Sequence, residues 1–156
     1  MLEVSGFEIN YIEKFPMKTV LLVEDDRSNV IVFSKILTKR GGLAVKHTEN
    51  VEEVMQIVHS GEVDIILMDI DLRNSRYQGK AVSGIQITQM LKANPQTAKV
   101  PVILVIASVK EGDSLRDSFA SRENFLKLSG ADGYIPKPVI DHQEFVDQIL
   151  ELLPKD

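Results

Sequence analysis

Apolar residues along this chain fall into two alternating patterns, short runs and longer stretches spaced as on one face of a helix. Val20-Leu21-Leu22-Val23, Ile65-Ile66-Leu67-Met68 and the segment Val100 to Ala107 are continuously apolar, which is the mark of strands buried on both faces of a parallel sheet. Leu43 to His47 and Tyr134-Ile135 read as two further short strands. Between them lie helical stretches. Asp26 is placed to cap a helix reaching about Arg40, with Val30, Phe33 and Leu37 on one face and Gly41-Gly42 as its stop. Asn50 caps a second, whose Val51, Val54, Met55 and Val58 keep the i, i+3, i+4, i+7 spacing up to Gly61. A third runs from about Gly84 to Lys92, burying Ile87, Met90 and Leu91, and ends at Asn94-Pro95. Residues 110–129 are mixed, with Leu115, Phe119 and Leu126 indicating helix in one or two pieces. Asp141 with Glu144 at the capping-box position opens the last, whose core stripe is Phe145, Ile149, Leu152 and Leu153.

Five strands alternating with five helices predict an α/β fold, a doubly wound five-stranded parallel sheet with right-handed crossovers. Residues 1–16 stand ahead of the first strong pattern and are expected to form an N-terminal extension to a single domain over 17–156. The segment Leu72 to Ser83 is polar and longer than most strand-to-helix connections, so it is expected to be a loop.

Composition narrows the function classes. At 156 residues, with 44% hydrophobic and 26% charged residues, the chain has the make-up of an ordinary globular domain. A net charge of −5 without any basic run argues against a sequence-independent nucleic-acid surface. The absence of cysteine removes disulfides, thiol catalysis and cysteine metal sites. No apolar run is long enough to span a bilayer and the N-terminus lacks a secretory pattern, so a cytoplasmic location is the default expectation.

Three strand ends carry the candidate chemistry. Glu24-Asp25-Asp26 follow the first strand, Asp69 ends the third, and Lys137 follows the fifth. In an open parallel sheet these ends gather on one edge, where ligands bind. A lone aspartate after a strand is more often a turn former or cap, and a Glu-Asp-Asp run or a Lys-Pro pair is by itself unremarkable. Together on three separate strand ends they describe a site. Crowded carboxylates repel, and a hard cation such as Mg²⁺, which takes one or two protein carboxylates and keeps several waters, relieves the repulsion. A lysine adds a point charge able to hold a phosphate oxygen. Carboxylate nucleophile, divalent ion and lysine are the parts required for phosphoryl transfer to aspartate.

At these residues the chain resembles the response-regulator receiver domain of two-component signalling, closest to its stand-alone, single-domain members and to the receivers of hybrid kinases. The likeness rests on VLLVEDD, DIILMD, ASVKEGD and GADGYIPKP, and it covers about residues 18–153. It implies that Asp69 is phosphorylated by a histidine kinase or a histidine phosphotransfer protein. It implies further that Asp25, Asp69 and the backbone carbonyl of Asp71 ligate Mg²⁺, with Glu24 acting through water. Lys137 would contact the phosphoryl group and Tyr134 would be the aromatic switch residue. A downstream protein would dock on the face made by the fourth helix, fifth strand and fifth helix. With the chain ending after its fifth helix, output is expected to pass through another protein, with no part for nucleic acid or membrane.

Three departures stand out against that family. Ile106 occupies the place of the usual threonine or serine at the end of the fourth strand, and isoleucine has no hydrogen-bond donor. Ser108, two residues on, is the candidate to supply a hydroxyl instead. The loop after Asp69 is long, with Arg73 where a proline is common, and extra residues lie between Gly112 and Gly130. Asp71 adds a like charge two residues beyond Asp69. Two other functions therefore stay open: a receiver-like binding module whose switch has decayed, and, more remotely, a phosphatase of the haloacid-dehalogenase type with Asp69-Ile70-Asp71 as its Asp-x-Asp motif, Ser108 in its second motif and Lys137 as its lysine.

Overall fold

The computed structural model of the chain describes residues 17–72, 75–107 and 115–155, with side chains in the segment from 115 described from residue 122 onward. The expected extension over 1–16 lies outside the described residues.

The elements run β1 (Thr19–Val23), α1 (Arg27–Lys35), β2 (Ala44–Thr48), α2 (Val51–Ser60), β3 (Ile65–Asp69), β4 (Arg76–Tyr77), β5 (Lys80–Ala81), α3 (Gly84–Ala93), β6 (Val102–Ala107), α4 (Leu115–Ser129), β7 (Gly133–Lys137) and α5 (His142–Leu152). Five strands form one sheet in the order β2-β1-β3-β6-β7, all of them parallel to their neighbours. The chain steps outward from β1 to β2 and then returns to β3 on the other side. The switch point therefore lies between the C-terminal ends of β1 and β3.

Strand alternation divides the core into two layers. Val20, Leu22, Ile65, Leu67, Ile103, Val105 and Ile135 face α1 and α5, meeting Phe33, Leu37, Phe145 and Ile149. Leu21, Val23, Ile66, Met68, Leu104 and Ile106 face the other way, onto Val51, Val54 and Val58 of α2 and Ile87 and Leu91 of α3. All five residues of β3 are buried, as its unbroken apolar run requires.

The caps fall where the sequence places them. Asp26 accepts from the backbone N–H groups of Ser28 and Asn29, Asn50 from Glu53, and Asp141 from Glu144. Gly61 ends α2 in the left-handed conformation. The helix over 115–129, in one piece, falls within the expectation. Three features differ from expectation. The helix expected to reach Arg40 loosens after Lys35 into one wide π-turn, Ile36–Arg40. The polar segment after β3 is not a plain loop: β4 and β5 pair antiparallel across Gln78 and Gly79, both at positive φ. β7 runs on through Pro136 and Lys137, which is possible because β7 is an edge strand and Pro136, exposed, need not donate to a further neighbour. The Lys137–Pro138 peptide bond is cis.

Candidate acid cleft at the strand ends

The sheet brings the expected residues together. Asp69 follows Leu67 by two residues and Lys137 follows Ile135 by two, so both side chains lie on the α1/α5 side of the sheet. Glu24 leaves β1 at the switch point. A cleft of about 280 Å³ is lined by Glu24, Asp25, Asp26, Asp69, Asp71 and Lys137, together with Asn29 and Ala107. Five carboxylates thus face one lysine.

Lys137 Nζ lies 3.3 Å from Asp69 Oδ2 and 3.7 Å from Glu24 Oε2, bridging the two buried acids. Asp69 Oδ1 accepts from the backbone N–H of Asp71 at 3.0 Å, which holds the carboxylate in one orientation and leaves Oδ2 toward the lysine. Gly84 permits this arrangement. The start of α3 packs so closely on the end of β3 that a Cβ at position 84 would overlap the Asp69 carbonyl.

Glu24 is only 1% exposed, and its Oε2 is buried without a hydrogen-bond partner. Burial, then the neighbouring Asp69 charge, pushes its carboxyl up to about 7, against a smaller opposing pull from Lys137. A proton on the Glu24 carboxyl relieves the repulsion from Asp69, and a cation in the cleft can relieve it instead. One ligand atom from each of Glu24, Asp25 and Asp69 lies within 4.8 Å of the others, a spacing suited to a single hard cation. The donor set, all carboxylate oxygen with an orphaned buried oxygen among it, fits Mg²⁺.

The expected switch residues sit on the opposite side of the sheet. Ile106, 5% exposed, points with Leu104 into the α2/α3 layer. The residue that β6 presents to the cleft is its neighbour Ala107. Tyr134, half-buried, packs against the same layer as Ile106, and the Arg122 guanidinium of α4 lies 5.9 Å from the centre of its ring. Ser108 and Arg73 lie outside the described residues. Sequence reasoning did not single out Asn29 or Ala107. Asn29 has the helix-start position of an ordinary solvated residue, and only the strand register puts Ala107 rather than Ile106 against the acids.

Fold and cleft define the class, a flavodoxin-like parallel α/β protein with a buried acid–lysine cluster at its switch point. Residues 20–150 match the family model described as the response regulator receiver domain, so the chain belongs to the receiver family. It is 30% identical over 122 residues to the polar-differentiation response regulator DivK of Brucella anthropi, an alignment that covers 78% of this chain and 85% of that one. Among solved structures, the receiver domain of the sensor histidine kinase PA1611 from Pseudomonas aeruginosa superposes with a TM-score of 0.65 at 26% identity, covering 87% of this chain and 96% of that one. That domain carries a magnesium ion in its active-site cleft. The chemotaxis protein CheY4 of Vibrio cholerae shares the fold at a TM-score of 0.67 and 17% identity, over 88% of this chain and 100% of its own. No described helix is long and apolar enough to cross a membrane.

Proposed function

We propose that the chain accepts a phosphoryl group on Asp69 from a phosphohistidine and passes the resulting signal on by contact with another protein. The observation that carries this reading is the bridge from Lys137 to Asp69 and Glu24 inside a cleft of five carboxylates. An Asp69 oxygen attacks phosphorus, the P–N bond of the donor breaks, and the imidazole nitrogen takes a proton from water. Lys137 moves its charge from the free carboxylate to the developing phosphoryl oxygens, and the Asp71 N–H keeps Asp69 oriented during attack. Asp25, Asp69 and the Asp71 carbonyl would hold Mg²⁺, with Glu24 next to it. When bound, the ion neutralises charge on the acids and on the incoming phosphate.

Partners follow from the same reading: a histidine kinase or phosphotransfer protein as donor, and a protein target on the α4–β7–α5 face. Acetyl phosphate, which needs no partner, tests the chemistry. Wild type should be labelled when Mg²⁺ is present and left unlabelled in EDTA, and Asp69→Asn should stay blank in both. An unlabelled wild type beside a labelled control receiver would overturn the proposal.

Ile106 favours a second reading, a receiver-like binding module that responds weakly to phosphate. Its buried apolar side chain offers no donor to draw Tyr134 inward. Under this reading BeF₃⁻ with Mg²⁺ leaves the Tyr134 ring resonances of the wild type in place, and Ile106→Thr makes them shift. A wild-type Tyr134 that already shifts with BeF₃⁻ would exclude the second reading. For the dehalogenase-type phosphatase no observation speaks.

A further inference from the structure

Glu24 is joined to the first turn of α1 in an unusual way. In an ordinary capping box the third helical residue accepts from the N–H of the cap residue. Here the third residue is Asn29, and its side chain does not turn back to Asp26. The Asp26 N–H instead donates to Glu24 Oε1 at 3.2 Å, and Asn29 Nδ2 donates to the same oxygen at 3.3 Å. Asn29's own backbone N–H is taken by the Asp26 side chain at 3.1 Å, which fixes the start of the helix and the amide it carries. One Glu24 oxygen is thereby tied to α1. The other, Oε2, is left buried in the cleft without a hydrogen bond, its ion pair with Lys137 a long 3.7 Å.

Resting on the metal-site reading above, we infer that Asn29 is a positioning residue that divides the two oxygens of Glu24, tethering Oε1 together with the Asp26 N–H so that Oε2 is presented to a divalent cation. A glutamate has one more rotatable bond than an aspartate, and without the Asn29 amide, with the Asp26 N–H as its one remaining donor among these contacts, the carboxylate can more readily turn Oε1 into the cleft. The amide also donates without adding charge, so it orients the carboxylate without competing with the cation for it. Its chemistry is that of the outer hydrogen-bond partners that orient ligating carboxylates elsewhere.

Asn29→Leu keeps the approximate shape and removes the donor. The loss of such an outer partner typically weakens metal binding tenfold or more, and the long 3.3 Å bond places the expected loss at the lower end, about tenfold. Two readouts are taken on the full chain: Mg²⁺-dependent thermal stabilisation, which needs no turnover, and the Mg²⁺ concentration that half-saturates acetyl-phosphate labelling. Both midpoints should move together to about tenfold higher Mg²⁺, with the labelling rate at saturating Mg²⁺ close to that of wild type. Asn29→Gln, which keeps an amide donor, should recover part of the affinity. Asn29→Leu should add nothing further in a Glu24→Gln background, because the tethered carboxylate is already gone.

A helix-start defect alone would lower the melting temperature in EDTA and leave the Mg²⁺ midpoints in place, which overturns the inference. So does a Glu24→Gln background in which Asn29→Leu still costs tenfold. A wild type showing no Mg²⁺-dependent stabilisation at all brings down the metal-site reading itself, a distinguishable failure.

Discussion

Among the described residues Glu24 carries the main electrostatic tension, a carboxyl group buried beside Asp69 with one oxygen lacking a hydrogen bond. In the unfolded chain it ionises near 4.5, and in the folded chain near 7. Between those values the folded state holds the extra proton. The stabilising contribution is fully present below 4.5 and is lost as pH rises through 7. Glu24→Gln removes the penalty of the buried charge. Without metal, the variant should gain on the order of 3 kcal/mol over wild type at pH 8 and little at pH 4.5, since each tenfold change in proton affinity is worth about 1.4 kcal/mol. Denaturant unfolding in EDTA at the two pH values measures it, and an equal gain at both would contradict this electrostatic picture. Asp69 and Lys137 were legible at this scale only in combination with Glu24-Asp25-Asp26, because charged residues on three separate strand ends of a parallel sheet meet at one edge. The part played by Asn29 was not legible, since its hydrogen bond depends on a turn geometry that brings residues 24, 26 and 29 to one point.

At the scale of elements, the junction of β3 and α3 does the most to shape the cleft. Ser83 caps α3 through a reciprocal capping box with Gln86, while Gly84 lets the helix start pass against the Asp69 backbone. These adjacent residues should fail differently. Ser83→Ala should cost about 1 kcal/mol, as lost N-caps do, and leave labelling of Asp69 intact. Gly84→Ala has no room for its methyl group beside backbone, so it should cost about 1–3 kcal/mol and slow labelling as well. Thermal unfolding alongside acetyl-phosphate labelling separates the two, and a Gly84→Ala variant labelled at the wild-type rate would contradict the packing argument. The capping signals and apolar stripes made most elements readable. The β4–β5 hairpin was not, because its strands are two residues each and carry no apolar alternation. What fixes it is tertiary: Ser75 is buried and donates to the Glu49 carbonyl at 3.0 Å, and Tyr77 packs on the α2/α3 layer. The wide turn at the end of α1 likewise leaves no mark in the apolar spacing.

At the scale of the whole molecule, one sheet order accounts for where everything lies. With β1 and β3 central and adjacent, their C-terminal ends deliver Glu24 and Asp69 to the same point, and β7 brings Lys137 across from the edge by way of β6. The alternation that puts Asp69 and Lys137 on the α1/α5 side puts Ile106 and Tyr134 on the other. The proposed phosphate acceptor and the proposed switch residues therefore lie on opposite faces of the sheet, so under that proposal a single side chain such as Ile106 can alter the readout without touching the acid cleft. The five-stranded parallel architecture was legible because runs buried on both faces fit few other folds, whereas the division between faces needed the register.

The central claim is that Asp69, among five carboxylates in one cleft, is the phosphate acceptor. Borohydride reduction of the acetyl-phosphate-treated protein converts an aspartyl phosphate to homoserine, and peptide mass spectrometry locates the converted residue. Conversion at position 69, requiring Mg²⁺ during labelling and absent from Lys137→Ala or strongly reduced in it, is the predicted result. Conversion at Glu24, Asp25 or Asp71 in place of Asp69, or none at all, would contradict the account.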